Sequence, residues 1–109
     1  MERINYSELV QNILKNRVDN HAEDDTEVQL IFDSKRDRYL LVHLGWEEEF
    51  RMYGCIVHID IRDEKIWIQR DFTEEGVATE LEELGVPKSD IILAFHPPSI
   101  RQFTEFAVG

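Results

Sequence analysis

Two hydrophobic periods divide the chain. Apolar residues fall at Tyr6, Leu9, Val10, Ile13 and Leu14, with Gln11, Asn12, Lys15 and Asn16 on the other side. That spacing predicts an amphipathic helix from Ile4 to about Val18, with Asn5 or Ser7 as its N-cap. The "DNHAEDD" that follows is polar and aperiodic and reads as a loop. From Glu27 the period falls to two. "EVQLIF" and "YLLVHLGW" flank the polar cluster "DSKRD", and a long run from Phe50 to Ile61 is followed by the turn "RDEK" and the return "KIWIQR". Four successive strands with short links predict an antiparallel meander.

The third strand changes parity. Phe50 and Met52 are apolar at even positions, whereas Cys55, Val57, Ile59 and Ile61 are odd. Side chains alternate faces along a strand, so an unbroken run would carry its apolar set from one face to the other. A β-bulge at Tyr53–Gly54 would insert one residue and keep a single apolar face. With Asp63 and Glu64 at the next hairpin tip, Arg62 opposes Lys65, Asp60 opposes Trp67 and His58 opposes Gln69. Val57, Ile59, Ile61, Ile66 and Ile68 then point inward. Outward stand His58, Asp60, Trp67 and Gln69, with Asp71 at the edge, joined by His43, Tyr53 and Ile56 across the bulge.

Behind the sheet, "DFTEEGVATELEELG" predicts a helix capped by Asp71 or Thr73 and stopped by Gly85, with Val77, Ala78, Leu81 and Leu84 as its buried stripe. "IILAF" reads as a further strand or a buried turn, and Pro97-Pro98 ends it. The fold class expected is α+β: an antiparallel meander sheet of four to five strands, an N-terminal helix and a helix after the fourth strand.

Composition narrows the function. The 109 residues fit one domain, 1–109, and 42% hydrophobic content suits a packed core rather than a disordered tail. There is neither an apolar run of membrane-spanning length nor an apolar N-terminal leader. The single Cys55 has no intramolecular partner, so a reducing, cytoplasmic location is the expectation. Twenty-three acidic residues against twelve basic ones give a net charge of −11. Such a chain repels nucleic acid unless its few bases are strongly segregated, and it attracts basic partners. Direct nucleic-acid binding is therefore not expected.

Candidate chemistry is sparse. His58 and Asp60 share a strand face about 7 Å apart, which looks too far for a direct histidine–carboxylate hydrogen bond. Cys55 is expected on the other face, and no serine sits in a nucleophile turn. His21, His43, His58 and His96 lack the spacing of a metal motif. A metal-dependent enzyme or hydrolase would require His43, His58 and Asp60 to converge across neighbouring strands. The stronger lead is the outer sheet face, where Tyr39, Leu41, Tyr53, Ile56 and Trp67 alternate with His58, Asp60 and Gln69. That is more apolar than a solvated face, and Trp and Tyr carry interface energy. Tyr39, Tyr53, Ile56, His58, Asp60, Trp67 and Gln69 are the candidate partner-binding residues.

"EVQLIFDSKRDRYLLVHLGW", "YGCIVHIDIRDEKIWIQRDFTEEGVATELEELGVPKSDIILAFHPP" and "FTEFAV" also resemble the XisI family, the fdxN element excision controlling factors of cyanobacteria. The likeness runs from about Glu27 to the end, on "YGC", "HIDI", "IWIQ" and "GVPKSDIILAFH"; Phe72 departs from the smaller residue expected there. The resemblance implies a small α+β protein controlling excision of a DNA element during heterocyst differentiation, while a separate recombinase exchanges the strands. It also implies a XisH-like partner of nuclease fold, and it supplies no catalytic or metal residues. The expectation is thus a regulator without enzymatic activity, cofactor or metal. It is expected to form a homodimer and to act by protein contacts.

Overall fold

The structure, a computed structural model, describes residues 5–19 and 26–108. The expected loop after the first helix and His21 lie largely outside them. Helix α1 spans Tyr6–Asp19, with the Asn5 side chain accepting the Glu8 N–H at 3.0 Å. Five strands follow: β1 Thr26–Asp33, β2 Arg38–Glu47, β3 Phe50–Arg62, β4 Lys65–Asp71 and β5 Ile91–Leu93, with α2 (Val77–Glu83) and a short α3 (Pro98–Arg101). They form one sheet in the order β1-β2-β3-β4-β5. The first four strands are the antiparallel meander that the alternation predicts. The fifth runs parallel to β4, because α2 carries the chain back across the sheet before it re-enters. No helix among the described residues is long and apolar enough to cross a membrane.

One face of the sheet is covered by α1 and α2. Val10, Ile13 and Leu14 of α1 and Val77 and Leu81 of α2 pack on Tyr39, Leu41, Val57, Ile59, Ile66, Ile68 and Ile91, all buried. Arg17 of α1 ties the two helices through Glu80, Nη2 to Oε2 at 2.7 Å. The helix after β4 is shorter than its sequence suggests. Residues 72–76 form a loop in which Asp71 accepts N–H groups from Thr73 (2.9 Å) and Val77 (2.7 Å), while Gly76 takes a φ of 84°. The Asp71 carboxylate thus satisfies a donor of the first turn from six residues upstream, which frees Glu74 and Glu75 from the helix. Leu84, expected in the buried stripe, is 50% exposed, since the helix ends before it and Gly85 turns the chain at φ 99°.

The parity change in β3 is resolved by a bulge, two residues later than expected. Leu41 pairs with Val57 and Val42 with Cys55, leaving Ile56 as the extra residue. Phe50, Met52 and Gly54 therefore share the covered side with Val57 and Ile59, as one continuous face requires. Gly54 needs no special backbone there; it pairs regularly with His43. A second bulge, at Gln69, places His58 opposite Arg70 instead of Gln69, while Asp60↔Trp67 and Arg62↔Lys65 stand as expected. Asp63 and Glu64 both adopt positive φ (52° and 64°), the two-residue primed turn that matches the twist of its strands.

Candidate functional site

The bulges decide which candidate residues meet. Tyr39 and Ile56 belong to the covered side. Tyr39 pairs with Ile59 and is fully buried, with its hydroxyl bonded to Ser7 of α1 and donating to Asp37 at 2.8 Å. Burial pushes its phenol above the usual tyrosine value. Ile56 packs partly buried against the core, because the displaced bulge rotates it toward Val57. Both were expected on the outer face, and the one-residue sensitivity of strand register explains the error.

The opposite face of β2, β3 and β4 carries His58, Asp60, Trp67 and Gln69, as alternation predicts, with Tyr53 farther along β3. At its centre Asp60 is only 3% exposed, and three donors hold it. His58 Nε2 lies 3.0 Å from Oδ1, and Arg62 Nη2 and Gln69 Nε2 donate to Oδ2 at 3.0 and 3.2 Å. His58 and Asp60 therefore touch directly, contrary to the separation expected for them. Backbones at i and i+2 stand about 7 Å apart, but an imidazole leaning along the strand spans that gap. Alternation puts Gln69 on this face, but its bond to Asp60 depends on the bulge, which alternation does not specify.

Arginine stacks on the aromatic residues here. Two guanidiniums stand over Trp67, Arg62 at 5.7 Å and Arg101 of α3 at 5.9 Å from its ring centroid, and its Nε1 donates to the Arg62 carbonyl at 3.3 Å. Arg101 is fixed over it by donating to the His96 and Ala94 carbonyls at 2.9 and 3.2 Å. Arg51 lies over Trp46 at 4.9 Å, and Arg70 reaches the ring of Phe72, just past the end of β4, at 5.0 Å. Tyr53 remains 70% exposed.

Two reactive groups fall out of the expected places. His43 pairs with Gly54 and Val28 and lines a groove of about 700 Å³ on the covered side, with Leu41, Ile56, Val57 and Phe72. It is thus separated by the sheet from His58 and Asp60, and the trio required by a metal-dependent reading does not converge. Cys55, expected on the far side from His58, shares its face because the bulge comes after it. Its thiol donates to the Val57 carbonyl at 3.3 Å, and burial raises its pKa against the opposing pull of Arg70. A thiol held protonated in this way is a weak nucleophile at neutral pH.

The family model for XisI protein matches residues 1–108. The chain belongs to the XisI family. The match takes in α1, which carries little of the motif likeness. Two solved structures from Anabaena variabilis ATCC 29413 share the fold. A XisI-like protein is 42% identical with a TM-score of 0.89, covering 95% of this chain and 96% of that one. The fdxN element excision controlling factor XisI is 38% identical with a TM-score of 0.80, again covering 95% and 96%. No curated protein matches the chain. In this XisI-family chain, the open sheet face sets a buried carboxylate among arginines and aromatic rings.

Proposed function

We propose that this chain is a non-catalytic accessory factor that controls excision of a DNA element of the fdxN type, acting in the cytoplasm through protein contacts made by its open sheet face. Family membership and the 38%-identical excision controlling factor support the role. The observation that carries the contact mode is the open face itself, where Ile31, Trp46 and Tyr53 stand half-exposed or exposed and Asp60 is fully bonded. Asp60 has its donors already, so His58, Arg62 and Gln69 serve to hold a surface in shape. The partners that fit are a second copy of the chain and a XisH-like protein.

Doubly substituted Trp67→Ala/Tyr53→Ala protein, with Tyr53→Ala alone as the milder control, tests this reading. Loss of self-association in sedimentation, or loss of a copurifying XisH-like protein, together with retained circular dichroism, is the expected result. Unchanged assembly in a folded double variant rules the reading out.

A further inference from the structure

Net charge alone points to a basic partner, yet the fold sorts the charges so that this face favours the reverse. Cross-strand register places Arg38, Arg51, Arg62 and Arg70 on the open side of β2, β3 and β4, and Arg101 reaches the same side from α3. With Lys65, which pairs with Arg62, that makes six of the twelve lysines and arginines of the chain. The acids sharing the face are Asp60, already bonded to three donors, and Glu27 and Asp33 on the edge strand β1. Asp33 is engaged by Arg36 at 3.0 Å, which holds its carboxyl below the usual range. Among the described residues, no carboxylate pairs with Arg38, Arg51 or Arg70. Beside these arginines runs an apolar band, with Ile31 opposite Leu40 and Leu44 opposite Tyr53.

We infer that the open face binds an acidic amphipathic segment of a protein partner, its carboxylates on the arginines of β2–β4 and its apolar side chains on Ile31, Leu40, Leu44 and Tyr53. This rests on the protein-contact reading and specifies the chemistry of the contact. The stacking geometry supports it. Arg51 and Arg70 lie on Trp46 and Phe72 and bond no carboxylate among the described residues, so each is pre-oriented with an N–H edge available to grip one with two parallel hydrogen bonds. Arg62 and Arg101 already donate, respectively, to Asp60 and to the Ala94 and His96 carbonyls. A long polyanion such as single-stranded nucleic acid is disfavoured, because it would extend past the arginines into the field of a chain of net charge −11.

The test is fluorescence anisotropy on the full chain with three labelled probes: a short peptide alternating glutamate and leucine, its glutamine-for-glutamate counterpart, and an oligothymidylate of similar length. Saturable binding of the glutamate peptide, weakened at least about tenfold by Arg38→Gln/Arg70→Gln and by added salt, is expected. Neither arginine touches a carboxylate in the fold, so the variant should stay folded, as circular dichroism would verify. Equal binding of the glutamine peptide, tighter arginine-dependent binding of the oligothymidylate, or no effect of the double variant overturns the inference. So does self-association that depends on Arg38 and Arg70 without peptide binding. If Trp67→Ala/Tyr53→Ala abolishes assembly while Arg38→Gln/Arg70→Gln leaves it intact, the protein-contact reading survives and the acidic-segment inference alone falls.

Discussion

The two faces of one sheet solve opposite problems. On the covered side every central position is aliphatic or Tyr39, and α1 and α2 exclude water from it. The open side keeps a carboxylate, and the nearly buried Asp60 is bonded to His58, Arg62 and Gln69. Burial of apolar area stabilises the first face at roughly 25 cal/mol per Å². The second gains little from burial and must satisfy each polar atom it hides. A face organised in this way gives up cohesion and keeps a fixed arrangement of charges, which suits recognition.

Removing a side chain from the covered face should have the largest effect. Ile59 is fully buried between Tyr39 and Ile68, so Ile59→Ala should lower unfolding free energy by about 2–5 kcal/mol in urea titration. Loss below about 1 kcal/mol would mean that this face is not the principal core. Asp60→Ala comes next, at about 1–3 kcal/mol, because it strands His58 and Gln69 although the exposed Arg62 returns to water. An effect as large as that of Ile59→Ala would erase the distinction between the faces.

Tyr39→Phe should remove about 1 kcal/mol by breaking the hydroxyl's bonds to Ser7 and Asp37. It also carries a pH signature. Burial raises the folded-state pKa of the phenol, so its contribution is complete below the unfolded value of about 10 and is lost as pH climbs through the raised one. The wild-type chain should therefore lose stability above about pH 10 more steeply than Tyr39→Phe, in thermal melts across that range. The smallest change belongs to the arginines of the open face. Arg38→Gln and Arg70→Gln should each move stability by no more than about 0.5 kcal/mol, since neither bonds a carboxylate. A larger loss would assign those side chains to folding instead of recognition.

Much of the architecture could be read from particular residues. The spacing of Leu9, Val10, Ile13 and Leu14 marks α1, and Asp63-Glu64 marks the hairpin that aligns Asp60 with Trp67. The parity break between Met52 and Cys55 requires an extra residue in β3. Its position at Ile56 is not legible, because Cys55 reads as the first apolar residue of the odd run and so puts the extra residue before it, whereas Cys55 stands on the open face. That shift of two residues moved Ile56 to the covered side and Cys55 to the open one. Tyr39 was misplaced for a related reason, since its strand is apolar on both faces and alternation there is uninformative.

Alone, then, the sequence determined the periods, the turns, a cap for α1 at Asn5 or Ser7 and the excess of acid, because each depends on neighbours along the chain. Tertiary structure decided where the two bulges fall and that β5 runs parallel. It also decided that Asp60 gathers His58, Arg62 and Gln69, and that scattered arginines in an acidic chain collect on one face. Those outcomes depend on register between strands, where moving one residue exchanges the faces of all that follow.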